Sequence, residues 1–175
     1  MDETSGRVLV AYGSKHGSVR EVAEAVADLL RLHGLAVDVR DARDVREVSR
    51  YATVVLGGAL YTGRWHPAAR RLLKRLRSRL DERDLAVFAM GPRTLEPADV
   101  AASRAQLDAA LARAPELSPR WVAVFGGVVR PEELRFPFNR MPACDARDWA
   151  AVRAWAAEVA TTCAAGTARR EPSHA

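Results

Sequence analysis

Cysteine and long hydrophobic runs are both scarce in this chain of 175 residues. The two cysteines, Cys144 and Cys163, stand outside any CxxC or histidine-rich spacing, which favours ordinary reduced thiols over a disulfide framework or a metal site. No apolar run approaches the ~20 residues that span a bilayer. Residues 1–6 are polar and acidic, whereas a signal peptide is basic and then apolar. We therefore expect a cytoplasmic protein with no metal centre.

Acidic residues are also fewer than basic ones, and the excess of basic residues lies in one stretch of the chain. The net charge is +5, and the stretch from Arg64 to Arg83 alone contributes +6, from eight basic residues against Asp81 and Glu82. The simplest interpretation is a solvated helix face. Docking to an acidic partner or to an anionic membrane surface is the alternative. Nucleic-acid binding is disfavoured, because only Trp65 interleaves with the charges.

Apolar runs alternate with amphipathic stretches along the chain, which predicts an α/β fold. We expect a doubly wound, three-layer domain at residues 7–164, with five parallel strands in the order 2-1-3-4-5, and a disordered tail at residues 165–175. Apolar residues make up 49% of the sequence, enough for a substantial core. The predicted strands are Val8–Ala11, Leu35–Arg40, Thr53–Leu56, Leu85–Met90 and Trp121–Phe125. The predicted helices are Val19–Leu30, Val45–Arg50, Pro67–Leu80, Pro97–Leu111 and Asp148–Cys163.

The turn between the first strand and the first helix carries the most informative motif, Gly13-Ser-Lys-His-Gly-Ser18. The N–H groups at the start of a helix lack intrahelical acceptors and carry the positive end of the helix dipole. Small residues at such a turn let the backbone wrap closely around a phosphate. Ser18-x-x-Glu21 also fits a capping box, and Gly17 also fits a tight turn. This loop alone therefore leaves phosphate binding and simple capping open.

Two further loops with glycine, Gly57–Gly63 and Gly91–Arg93, follow the third and fourth predicted strands. In the predicted order, the first, third and fourth strands are central, and their carboxyl ends meet at the edge where such sheets bind ligands. This convergence favours a phosphate-bearing ligand. A phosphorelay receiver is disfavoured, because its third strand would end in aspartate rather than in Gly57-Gly58. A NAD-binding domain is disfavoured, because the first loop lacks Gly-x-Gly-x-x-Gly.

On these residues the chain resembles the flavodoxin family, over about Arg7 to Ala164. Ser14-Lys-His-Gly-Ser18 is similar to the loop with which that family binds the phosphate of FMN. The resemblance implies a flavodoxin-like fold and electron transfer through bound FMN, with no catalytic side chain. It places the flavin between the second and third loops. The implied cofactor-binding residues are Ser14, Lys15, His16, Gly17, Ser18, Gly58, Ala59, Leu60, Tyr61, Gly63, Gly91, Pro92 and Arg93.

A narrower resemblance is to the menaquinone-dependent protoporphyrinogen oxidases, a flavodoxin-like branch. It is carried by Gly57-Gly-Ala-Leu-Tyr-Thr-Gly-Arg-Trp-His66, by Val124–Val128 and by Asp148-Trp149. The chain departs from the flavodoxins at Gly91-Pro92-Arg93, which has no stacking aromatic residue. It departs from the oxidase branch at Arg130 to Cys144, which is shorter than that branch's basic and aromatic insertion after the fifth strand and is broken by prolines. The implied partner is a redox protein, or a quinone and a porphyrinogen. General electron transfer is the first hypothesis, the oxidase the second, and a basic interaction domain without cofactor the third.

Four residues keep two interpretations each. Tyr61 and Trp65 are both candidates to stack on the flavin or to pack in the core. His66 matches the oxidase segment, but it also fits a histidine at the start of a helix. Arg93 fits a donor to the pyrimidine edge of the flavin and, equally, an exposed arginine.

Overall fold

The computed structural model describes residues 7–80 and 83–170. The main sheet contains β1 (Arg7–Gly13), β2 (Ala36–Asp41), β3 (Thr53–Tyr61), β4 (Arg64–Trp65), β5 (Asp84–Met90) and β6 (Trp121–Phe125). Five of these strands are parallel and run in the order β2-β1-β3-β5-β6, while the short β4 pairs antiparallel with β3. Because β5 and β6 are the fourth and fifth predicted strands, the predicted order 2-1-3-4-5 is confirmed.

Helices cover both faces of this sheet. They are α1 (Ser18–Leu32), α2 (Pro67–Leu80), α3 (Pro97–Leu111) and α4 (Trp149–Arg170). Successive side chains of a strand point to opposite faces, so Val8 and Val10 pack in a core with α1 and α4, and Leu9 and Ala11 pack in a second core with α2. The α/β fold with flanking helices is therefore confirmed as predicted.

The predicted helix at Val45–Arg50 is wrong. The chain there is a loop without helical hydrogen bonding, and Val45 and Val48 point into the core beside α2. A helix of six residues gains too few internal hydrogen bonds to offset the cost of nucleation, and β-branched valines lower its propensity further. Burial of the two valines fixes this connection without a helix.

The last helix is longer than the sequence pattern predicts. α4 continues beyond Cys163 to Arg170, so the predicted domain limit at residue 164 falls inside it. Residues 171–175, the rest of the predicted tail, lie outside the described residues. Of the helices in the described ranges, including this one, none combines the length and the apolar character needed to cross a bilayer.

The predicted loop at Gly57–Gly63 is mostly strand. Its residues up to Tyr61 belong to β3, and only Thr62 and Gly63 form the turn into β4. Both turn residues have positive φ, 46° and 76°, as in a type I′ hairpin. Gly57 is required by packing, because a Cβ at this position would lie 2.0 Å from the ring of Phe88.

The chain after β6 makes a long excursion that returns to its starting point. Its two ends pair antiparallel as β7 (Val128–Val129) and β8 (Cys144–Asp145). Between them lie two one-turn 3₁₀ helices, Pro131–Glu133 and Phe138–Arg140. This stretch is thus a loop closed at its base by a two-stranded ribbon.

Candidate functional site

The loop between β1 and α1 is a tight turn that is closed by its own hydrogen bond. The Gly17 N–H donates to the Ser14 hydroxyl oxygen at 3.0 Å. Gly17 has a φ of 85°, in the left-handed region that glycine adopts without strain. A Cβ at Gly17 would meet no protein atom within 4 Å. The space in front of the turn is therefore open.

The start of α1 presents hydrogen-bond donors to this space. Within the described part of the chain, the backbone N–H groups of Ser18, Val19 and Arg20 have no acceptor, as expected for the first turn of a helix. The side chain of Ser18 is buried, and its hydroxyl also has no partner among the described residues. Lys15 is exposed beside them. These donors and this charge fit a phosphate group.

The capping box that the sequence also allows is not formed. Gly17 is the N-cap of α1, and no side chain caps the helix. The carboxylate of Glu21 is instead bonded to Arg130 and Arg147. Local capping therefore does not account for the serine at the start of the helix.

The hairpin between β3 and β4 separates the two aromatic candidates for the flavin site. Trp65 is fully buried, and its Nε1–H donates to the Gly58 carbonyl at 3.1 Å. Tyr61 is 40% exposed, and the centroid of its ring lies 6.4 Å from that of His16 in an edge-on arrangement. Trp65 is consequently a core residue, whereas Tyr61 lies beside the first loop.

The predicted residues of the second loop differ in exposure. Gly58 and Ala59 are buried inside β3, and a Cβ at Gly58 would lie 2.7 Å from Trp65 Nε1. Leu60 is half-buried, and Gly63 is exposed in the turn. The part of this loop that is open to a ligand therefore begins near Leu60.

The third loop packs against the second. A Cβ at Gly91 would lie 2.7 Å from Leu60 Cδ1, so the two loops approach closely. The backbone is fixed by bonds to the end of β6 and the chain after it, from the Gly91 N–H to the Phe125 carbonyl and from the Gly127 N–H to the Pro92 carbonyl. Pro92 is buried, and the side chain of Arg93 is exposed. The three predicted loops therefore lie along one edge of the sheet.

His66 is a histidine at the start of a helix. Its carbonyl accepts the Arg70 N–H, and its Nδ1 accepts the Ala68 N–H at 3.2 Å. The ring packs so closely on Gly13 that a Cβ there would lie 2.5 Å from Nδ1. Burial lowers the pKa of His66, which favours the neutral ring that this acceptor role requires.

Sequence reasoning missed a polar cluster that braces the first loop from the excursion after β6. Arg130 donates to the His16 carbonyl at 3.2 Å and to the Glu21 carboxylate at 3.0 Å. His16 Nδ1 lies 3.6 Å from a carboxylate oxygen of Glu133. Arg147 also bonds to Glu21. Partners separated by more than a hundred residues leave no local signal in a sequence.

Glu21, the carboxylate at the centre of this cluster, should make the stability of the protein depend on pH. The hydrogen bond that Glu21 accepts from Arg147, and next the one it accepts from Arg130, hold the pKa of Glu21 below its ordinary value of 4.5. A lowered carboxyl pKa gives stability that is present above the unfolded value and lost as the pH falls through the folded value. Glu21→Gln should therefore lower the free energy of unfolding at pH 7, by less than about 1 kcal/mol because the side chain is nearly half exposed.

The measurement is chemical unfolding of both proteins from pH 7 to pH 3. The difference between wild type and Glu21→Gln should shrink as the pH falls below 4.5. Other carboxylates titrate in both proteins and cancel in this difference. A gap that is constant with pH would show that the Glu21 charge does not contribute.

The basic stretch that begins at β4 divides into two groups. Five of its eight basic residues bond to the protein itself: Arg70 to the Trp65 carbonyl, Arg75 to the Val45 carbonyl, Arg77 to Glu116, Arg79 to Glu47 and Arg83 to the Ser49 carbonyl. The other three, Arg64, Arg71 and Lys74, are exposed and have no ion pair within the described ranges. Arg77 and Arg79 are also exposed despite their ion pairs, so most of this face is solvated, and only these three of its basic side chains make neither an ion pair nor a hydrogen bond among the described residues.

Comparisons with known proteins agree with this fold. Over residues 9–141 the chain matches the family described as Flavodoxin domain. It is 26% identical over 86 residues to the protoporphyrinogen IX dehydrogenase [quinone] of Escherichia coli strain K12, and the match covers 48% of each protein. The chain therefore spans about half the length of the curated relatives it matches.

Solved structures share the fold at low identity. An archaeal flavodoxin superposes with a TM-score of 0.60 at 11% identity, covering 90% of this chain and 98% of that one. The rubredoxin oxygen:oxidoreductase of Desulfovibrio gigas also superposes with a TM-score of 0.60, at 13% identity, covering 93% of this chain and 37% of that one. Because the family match spans most of the sequence, the chain belongs to the flavodoxin domain family.

Proposed function

We propose that this protein binds FMN where its three loops meet and transfers electrons through the bound flavin. The observation that carries the proposal is the group of unpaired donors at the start of α1, which faces open space in front of Gly17. The sequence has no second dinucleotide fingerprint, which suits a monophosphate rather than a dinucleotide. When bound, the flavin would supply the electron-transfer chemistry.

The roles of the residues follow from their positions. Ser14, Lys15, His16, Gly17 and Ser18 would hold the phosphate, by backbone N–H groups, hydroxyls and charge. The Ser14 oxygen already accepts the Gly17 N–H, so its own hydrogen remains available to donate. On the ring side, Tyr61 would cover one face, and the loop from Gly91 to Arg93 would flank the other.

Titration with flavins tests the proposal directly. FMN should bind at micromolar concentration or tighter, with quenched flavin fluorescence and a shifted visible spectrum. Riboflavin, which lacks the phosphate, should bind more weakly. If the protein does not bind FMN, the proposal fails and the basic interaction domain without cofactor takes its place.

A second candidate is oxidation of a porphyrinogen with a quinone as acceptor. It is favoured by the partial match to the Escherichia coli dehydrogenase, whose name states that activity. We rank it second, because the match covers only half of each protein and the third loop has no aromatic residue. FMN-loaded protein should be assayed for porphyrin fluorescence from protoporphyrinogen with menaquinone present. A rate well above autoxidation would reverse the ranking.

If the protein is an electron carrier, its redox partner would dock on a positively charged surface. Arg64 is paired in register with Tyr61 across the hairpin, so an unpaired cation lies next to the proposed flavin edge. Together with Arg71 and Lys74 it favours an acidic redox protein. Reduction of the flavin by such a partner should slow steeply with added salt.

A further inference from the structure

One peptide group of the first loop, the one that joins His16 to Gly17, is held from both sides. Its N–H donates to the Ser14 hydroxyl oxygen at 3.0 Å. Its carbonyl accepts a hydrogen bond from Nη1 of Arg130 at 3.2 Å. Because the carbonyl and the N–H of a trans peptide point in opposite directions, these two bonds together fix the direction in which the peptide faces.

The loop's own sequence does little to prevent this peptide from turning over. Such a turn would change the φ of Gly17, which is 85°, and glycine adopts positive and negative φ with similar ease. In the reversed peptide the carbonyl would face Ser14 and would accept the hydroxyl hydrogen that the proposed site offers to a phosphate. A bond that holds the carbonyl on the opposite side therefore protects the phosphate site.

Arg130 reaches this loop from the far end of the chain and is itself held in place. It follows β7 directly, and its Nη2 donates to the Glu21 carboxylate at 3.0 Å. Glu21 also accepts from Arg147, whose side chain is only 8% exposed and whose Nε donates to Asp145 at 2.8 Å. Asp145 ends β8, so the ribbon of β7 and β8 fixes both ends of this chain of contacts.

We infer that Arg130 is a positioning residue for the phosphate half of the flavin site, and that it couples this site to the excursion after β6. A guanidinium presents its N–H groups in a fixed fork, which here serves one carbonyl and one carboxylate. A lysine has the same charge but not this fork. The inference rests on the proposed function, because the phosphate is that of FMN, and it assigns Arg130 no contact with the flavin itself.

The coupling acts in both directions. A bound phosphate selects the peptide direction that Arg130 stabilises, and it therefore stabilises the contact between Arg130 and the loop. Glu133, in the first 3₁₀ turn of the excursion, adds a second link, because its carboxylate lies 3.6 Å from His16 Nδ1 and 3.9 Å from Arg130 Nη1. FMN should therefore slow backbone hydrogen exchange at residues 130–141 of the wild type more than riboflavin does.

Titration of arginine variants with both flavins tests the inference on the whole chain. Arg130→Gln should weaken FMN binding about 5- to 30-fold, in the range expected for the loss of hydrogen bonds to a charged group. Its affinity for riboflavin, which has no phosphate, should stay within about twofold of the wild type. Arg130→Lys should weaken FMN binding nearly as much as Arg130→Gln, because it keeps the charge and loses the fork.

Arg31 provides a matched control at the opposite end of α1. Its Nη1 donates to the Asp28 carboxylate at 2.9 Å, and its Nη2 donates to the Val37 carbonyl at 3.1 Å. These are the same two kinds of acceptor that Arg130 serves. Arg31→Gln should leave the affinity for FMN and for riboflavin unchanged.

The possible failures of the inference and of the proposed function are distinguishable. If the wild type binds FMN and Arg130→Gln leaves the ratio of FMN to riboflavin affinity unchanged, the inference is wrong and the proposed function stands. Full FMN affinity in Arg130→Lys would also overturn it, as would equal protection of residues 130–141 by FMN and riboflavin. The exchange measurement uses only the wild type, so it decides the matter even if an Arg130 variant fails to fold. A wild type that binds no FMN would overturn the proposed function and this inference with it.

Discussion

Replacing Gly17 with asparagine should weaken FMN binding by about 30- to 150-fold and leave riboflavin binding nearly unchanged. Asparagine tolerates the left-handed conformation of Gly17, so the loop should keep its shape. The new side chain would occupy the open space before the first N–H groups of α1. Loss of one or two charge-assisted hydrogen bonds costs about 2–3 kcal/mol, which gives the fold-change above.

Gly34 provides a matched control for this variant. It also has a positive φ, of 81°, and a Cβ there also meets nothing within 4 Å, but it follows the opposite end of α1. Gly34→Asn should lower the free energy of unfolding as much as Gly17→Asn does, by less than about 1 kcal/mol, without changing flavin affinity. The measurements are fluorescence titrations with both flavins and urea unfolding. Equal weakening of FMN and riboflavin by Gly17→Asn would contradict a phosphate site at this loop.

The edge of the sheet where the loops meet could be predicted from local sequence. β-Branched and aliphatic runs such as Thr53–Leu56 indicate buried parallel strands, and short loops with glycine mark where each strand ends. Once the strand order is assumed, the carboxyl ends of the central strands must meet. The pairing of Gly13 with Gly58 and the close approach of Gly91 to Leu60 agree with that expectation.

Glycines in the second loop show why the pattern could not separate ligand contacts from packing. Gly57 and Gly58 resemble residues that admit a ligand, yet a Cβ at either would strike Phe88 or Trp65. A sequence shows that a side chain is missing, but not which neighbour requires its absence. The partner of a packing glycine is distant in sequence, as Phe88 is from Gly57.

Polar contacts between residues distant in sequence also could not be predicted from local sequence patterns. Arg130 and Glu133 reach the first loop only because the ribbon after β6 returns the chain to it. The arginines after β4 look alike in sequence, but Arg77 and Arg79 find acidic partners on other elements and Arg71 does not. Local spacing could predict the solvated helix, but not which of its charges stay unpaired.

Trp65 and Tyr61 should respond to substitution in opposite ways. Trp65→Ala should lower the free energy of unfolding by about 3–5 kcal/mol, because it removes a fully buried indole. Trp65→Phe should cost about 1–3 kcal/mol, because it leaves the Gly58 carbonyl without its donor. Trp65→Phe should still bind FMN within about twofold of the wild type, since a contact made in the core is not a contact with the flavin.

Tyr61→Leu is the counterpart on the exposed side of the same hairpin. Its side chain is 40% exposed, so the loss of stability should stay below about 1 kcal/mol. A ring stacked on the flavin contributes about 0.5–1.5 kcal/mol, so FMN affinity should fall about 2- to 10-fold and the residual fluorescence of the bound flavin should rise. Urea unfolding of the FMN-free proteins and flavin fluorescence titration measure the two effects separately. If Trp65→Phe alters the flavin signal and Tyr61→Leu does not, the flavin does not lie against the exposed face of this hairpin, and the placement of the ring between the second and third loops is wrong.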